Sequence, residues 1–131
     1  MPVGAVVVNG FHLAMLFFPV FIYAIPPAMT VPWFKYVFLL MILIPLHWPL
    51  FDNKCALTVL SMKMGWLEDT GSDNAFSEAY LRWLYEPLLT LCGLGWTQTN
   101  IDKAVYVHWI VNFVLLWYYL CFRAGRATFC G

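Results

Sequence analysis

The chain has 131 residues, 63% of them hydrophobic, 19% aromatic and 11% charged, against roughly 25% charged in an ordinary soluble domain. That composition excludes a water-soluble monomer of this size, and with it disorder, collagen and coiled coil, which need polar, Gly-periodic or charge-rich sequence. Seven Lys and Arg balance seven Asp and Glu, so no basic excess draws the chain to nucleic acid.

An ionised side chain costs several kcal/mol in hydrocarbon, so the charges mark where the chain leaves it. The first is Lys35, and the residues before it read as an apolar helix over 5–25 followed by a turn rich in Pro26, Pro27 and Pro32. Met1 to Gly10 has no basic region and the apolar run outlasts a signal core of about 7–15 residues, so the segment is expected to be a retained helix. A second span covers 33–51, with Lys35 near its start reaching back to the headgroups along its apolar stem. Pro49, Asp52 and Asn53 end it in an Asx-type turn.

From Asp52 to Glu86 the chain carries nine of its fourteen charges. Within this stretch, 55–67 reads as a helix lying on the membrane surface, with Leu57, Leu60, Met64 and Leu67 near one face and Ser61 and Lys63 away from it. Over 74–96, after the capping types Ser72, Asp73 and Asn74, the residues Glu78, Arg82 and Glu86 recur every fourth position as a polar stripe on an apolar helix. Such a helix either lies at the interface with its stripe in water or spans with its stripe facing protein. If it spans, Lys54, Lys63, Arg82, Arg123 and Arg126 share one side and Lys35 and Lys103 the other; if it does not, the split is four against three. The stronger bias favours a span and puts both chain ends on the same side. The last span, 104–122, is free of charge for 19 residues from Ala104 to Phe122, roughly 28 Å of helix. The expected architecture is an all-α, four-transmembrane-helix bundle in a single membrane domain over 1–131, with the short interfacial helix between spans two and three.

The junction after span two reads His47, Trp48, Pro49, Leu50, Phe51, Asp52, Asn53, Lys54, Cys55, Ala56, Leu57, Thr58. It resembles the signature of an uncharacterised family of small four-helix membrane proteins in which a Cys-Pro-Leu-Thr motif follows the second helix. Cys55, Leu57 and Thr58 stand in register and Ala56 replaces the proline. His12 and Leu13 match the family's first-helix pair; Gly71, Phe76, Tyr80 and Leu81 match its loop and third helix; Asn112, Trp117 and Tyr118 match its last. Where members often carry an acid three places after the Thr, this chain has Ser61. The resemblance implies the four-helix fold and brings no established activity.

Candidate chemistry is sparse. Cys55, Cys92, Cys121 and Cys130 contain no Cys-x-x-Cys pair, which leaves zinc-ribbon and thioredoxin-like sites without support. His12, His47 and His108 sit one per strong span; imidazole in a membrane serves haem, metals and quinones, or hydrogen-bonds a neighbouring helix. In the four-span topology His12 and His47 approach the same surface and are the conceivable cofactor-binding pair, with His108 towards the other. Glu86 is the best candidate for proton handling, with Arg82 one turn earlier as its salt-bridge partner. No nucleophile elbow, phosphate loop or metalloprotease helix occurs. Trp33, Trp48, Trp66, Trp83, Trp96 and Trp109 fall near span ends or on the interfacial segment, as in an aromatic belt.

Two functions follow as expectations. One is a non-catalytic accessory subunit of a larger membrane complex, with the lipid bilayer and other membrane subunits as partners and no nucleic acid. The other is a small redox, cofactor-binding or transport protein using His12, His47, Arg82 or Glu86. No cofactor is required by the sequence, while haem, a quinone or a bound lipid is compatible with it. Respiratory and other energy-transducing membranes are rich in such small subunits, which makes the mitochondrial inner membrane an expected host.

Overall fold

The structure, a computed structural model, describes residues 2–26 and 34–123; the Pro27–Pro32 turn, Trp33, the Lys35 side chain, Arg126 and Cys130 lie outside the described residues. Every described element is helical. Helix α1 (Val3–Phe21) continues to Ala24 through a 3₁₀ turn, and α2 (Phe34–His47) to Phe51 through another. The short helices α3 (Ala56–Lys63), α4 (Ala75–Tyr80) and α5 (Arg82–Leu91) follow, and α6 (Gln98–Tyr118) ends in a π-helical turn over Tyr119–Arg123. The α2 extension stops where Asp52 and Asn53 take left-handed φ values of 51° and 61°, a conformation that Asp and Asn tolerate better than most residues.

Two stretches, Val3–Ala24 and Gln98–Arg123, are long and apolar enough to cross a membrane; a third exists if Tyr36–Phe51 and Ala56–Lys63, bent by 52°, form one broken span. This is fewer than the four expected. The missing one is 74–96, which folds as two pieces of six and ten residues with a break at Leu81. Neither piece approaches the roughly 20 residues that a crossing requires. Leu81 at the break is only 1% exposed and belongs to the core.

Helices α1 and α6 run parallel. The Leu16 carbonyl meets His108 and Asn112, the Leu115 carbonyl meets Tyr23, and the Ile25 carbonyl meets Tyr119, so both chains advance together. Pro19 lies inside α1 and has no N–H to give to the Met15 carbonyl. Helix α2 runs against both, with Phe38 on Phe113 near one end and Trp48 on Trp109 near the other. Leu16, Met41, Ile44, Leu81, Trp109 and Leu116 belong to the shared core.

Beside the apolar core, several polar side chains turn inward while large apolar ones point out. Asn9, His12, Thr58, Ser61, Ser77 and Asn112 are buried, whereas Val7, Phe11, Leu43, Ile110 and Val114 are more than half exposed. On helix α3 Thr58 and Ser61 face inward, Ser61 against α1, while Leu60 and Met64 are 42% and 54% exposed. A helix surrounded by lipid has nothing to gain by hiding leucine and much to gain by pairing a hydroxyl.

Candidate functional site

Where the C-terminal end of α2, the N-terminal ends of α3 and α4, and the first half of α6 meet the middle of α1, they enclose a cavity of about 190 Å³. Its aromatic part includes His12, Trp48, Phe76 and Trp109; Asn53, Asp73, Asn74 and Asp102 supply the polar part. The His12 ring stacks on Phe76 at 3.7 Å between centroids. Its Nδ1 is buried without a hydrogen-bond partner, and so is Trp48 Nε1. Buried polar atoms are nearly always paired, so two orphans on residues that line one cavity single it out.

The acidic part is partly tied down. Asp73 lies 3.7 Å from Lys54 Nζ, and Asn74 donates its amide to an Asp102 carboxylate oxygen. Two polar chains flank the cavity. On one side Ser61 donates to Asn9 Oδ1 at 2.7 Å, and Asn9 Nδ2 donates to the Tyr80 hydroxyl at 3.0 Å, joining α3, α1 and α4. On the other, the Tyr85 hydroxyl lies 2.7 Å from His108 Nδ1, and His108 Nε2 lies 3.2 Å from the Leu16 carbonyl. A carbonyl only accepts, so Nε2 carries the proton and Nδ1 accepts from Tyr85. Burial holds the Tyr85 hydroxyl above its ordinary pKa, which keeps it a donor.

The residues singled out in the sequence divide. His12 lines the cavity and His47 does not; His47 Nε2 instead accepts the Ala56 N–H at 3.0 Å, capping the first turn of α3. Of the Cys55, Leu57 and Thr58 motif, Cys55 and Thr58 line the cavity and Leu57 is half-buried beside it. Cys55 and Cys92 are free thiols. The stripe breaks at Leu81: Glu78 accepts from Ser72 and Thr70, while Arg82 forms a two-pronged pair with Glu86 at 2.9 and 3.0 Å and stacks over Trp96. That pair is exposed, 56% and 43%, with Glu86 held below the usual carboxylate range by its bonds to Arg82. Among the described residues no group of three or more His, Cys, Asp or Glu could hold a metal.

Trp48, Tyr85, Asp73 and Asp102 are the site residues that sequence reasoning did not single out for chemistry. Trp48 reads as a belt residue by its place at a helix end, and nothing in the spacing brings Asp73 and Asp102 together across a 29-residue interval. Asn9 and Asn112 carried a usable signal, since an amide inside an apolar helix demands a partner. No protein-family model, curated protein or solved structure matches the chain.

Proposed function

We propose that the chain is a three-crossing membrane protein, α1, α2 and α6, that serves as a non-catalytic accessory subunit of a larger membrane assembly, with an energy-transducing membrane as its host. The observation that carries this reading is how little of each crossing the chain covers for itself: in Val3–Ala24 and in Gln98–Arg123, 33% of the apolar stretch is buried. Apolar exposure extends beyond the crossings to α5, where Trp83, Leu88 and Leu91 are 68%, 51% and 83% exposed. Lipid covers such surface on the spans, and a subunit neighbour covers it on α5.

Parallel α1 and α6 cannot both cross unless the chain returns between them, and α2 is the antiparallel segment available for that return. In this arrangement α3, α4 and α5 sit together on one side with all seven acidic residues, and Lys35 and Arg123 lie at the other end. The kinship with the Cys-Pro-Leu-Thr family belongs to the same proposal, with Thr58 as the residue of its motif that the fold buries. A second reading, a small cofactor-binding or transport protein, has the unpartnered His12 Nδ1 behind it.

Solubilisation in mild detergent followed by native electrophoresis separates the two. Co-migration with a large complex, without visible absorbance of the purified subunit, supports the accessory role. An isolated protein carrying a Soret band overturns it.

A further inference from the structure

The cavity between α1, α2, α4 and α6 has a definable chemistry. Trp48 Nε1 is a donor only and is buried without a partner, so the indole of this lining residue calls for an acceptor. His12 is 5% exposed and its Nδ1 is likewise unmatched; with its proton on Nε2 it accepts an N–H. Among the described residues the lining contains Asp73 and Asp102 and neither Lys nor Arg. Lys54 reaches Asp73 from outside at 3.7 Å, and Asp102 receives a neutral amide from Asn74, so one carboxylate keeps its charge unmatched. Anions are therefore repelled. Trp48, Tyr85, Tyr106 and Trp109 add aromatic rings of the kind that attract ammonium groups.

We propose that this cavity binds a protonated primary amine bearing a nearby oxygen, an amino-alcohol such as ethanolamine, either free or as the headgroup of a lipid. The ammonium is placed between the Asp102 carboxylate and the aromatic rings and gives one N–H to His12 Nδ1; the oxygen accepts from Trp48 Nε1. Each orphan atom then has a complement, and the charge of the occupant matches the charge of the lining. This holds whether or not the chain belongs to a larger assembly.

The test uses the full chain in nanodiscs of phosphatidylcholine alone, titrated with ethanolamine hydrochloride and followed by calorimetry and by tryptophan fluorescence, which Trp48 and Trp109 report from within the site. Saturable binding is expected. Trp48→Phe keeps the ring and removes the N–H, and Asp102→Asn keeps the shape and removes the charge; each should weaken binding about tenfold or more. Choline, whose nitrogen has no hydrogen for His12, should bind more weakly than ethanolamine. Including phosphatidylethanolamine in the nanodisc assigns the source: competition with the free amine identifies a headgroup site, and unchanged binding identifies a free-amine site. Circular dichroism and melting temperature verify that each variant is folded. The proposal is overturned if folded wild-type protein gives no saturable response, if both variants bind ethanolamine as the wild type does, or if a neutral quinone saturates the site and the amine does not. In those cases the cavity holds water or a different ring.

Discussion

Ser61 of α3 gives its hydroxyl hydrogen to the Asn9 side chain of α1 at 2.7 Å, in a place where Ser61 is wholly buried and Asn9 is 3% exposed. Asn9 passes the connection to Tyr80, so one amide ties three helices. Asn9→Leu strands both hydroxyls in an apolar setting and should cost about 1–3 kcal/mol, read as a lower melting temperature in detergent. Combining Asn9→Leu with Ser61→Ala should cost less than the sum of the two, because the second change removes a group already stranded. Strict additivity would show that the bond contributes nothing.

The parallel course of α1 and α6 fixes a topological expectation. With α2 as the return crossing, Val3 and Arg123 lie on opposite faces of the membrane. Reporter tags at the two chain ends should therefore be accessible from opposite sides of oriented vesicles. Accessibility of both from the same side would restore an even number of crossings and remove the three-crossing arrangement.

Gly4 marks a close approach. A Cβ built there would come within 2.6 Å of the Trp66 ring, which lies across the start of α1 after α3 has ended. Gly4→Ala should push the indole aside and loosen the α1–α3 contact by about 1–2 kcal/mol. Gly4→Ala together with Trp66→Leu should regain part of that loss. Equal melting temperatures for wild type and Gly4→Ala would show that the ring moves without cost.

Helix type and the two longest apolar stretches were legible because charge exclusion and length act locally: Lys35 and the run 104–122 bracket spans regardless of what packs on them. The third segment was misread for a physical reason. Spacing of four puts Glu78, Arg82 and Glu86 on one continuous stripe only while the helix is continuous, and the helix breaks at Leu81, with Glu78 accepting from Ser72. The tally of positive charges inherited the same assumption. His12 stood out by residue type and by sharing a surface with His47, while its position in the cavity depends on Phe76 and Trp48, whose proximity no sequence period encodes. His47 meets a local need that no spacing announces, the bare N–H at the start of α3.

The Arg82–Glu86 pair is the place where this geometry makes a prediction opposite to that of a buried stripe. Both side chains are exposed, so Arg82→Leu and Glu86→Gln should each leave the melting temperature unchanged within error. Glu86 is held below its ordinary pKa, so whatever the pair contributes is present at neutral pH and fades as acid protonates the carboxylate. A melting profile of wild type and Glu86→Gln between neutral and acidic pH should therefore superimpose at its acidic end. A large loss in Arg82→Leu that Glu86→Gln repairs would place the pair inside a protein interface.

The chain from α5 to α1 through α6 gives the sharpest stability test. Tyr85 donates to His108 Nδ1, and His108 Nε2 donates to the Leu16 carbonyl, which Asn112 also reaches at 2.7 Å. Tyr85→Phe keeps the ring and its edge contact with His108 but leaves Nδ1 buried without a donor, at a cost of about 1–2 kcal/mol. His108→Asn should cost more, since it breaks the link to Leu16 as well and leaves Tyr85 unmatched. With Asn112 still on Leu16, the α1–α6 contact survives either change, and the loss should appear chiefly as faster amide exchange in α5. Uniform exchange in Tyr85→Phe and wild type, with equal melting temperatures, would show that α5 is held by Leu81 and Leu89 alone.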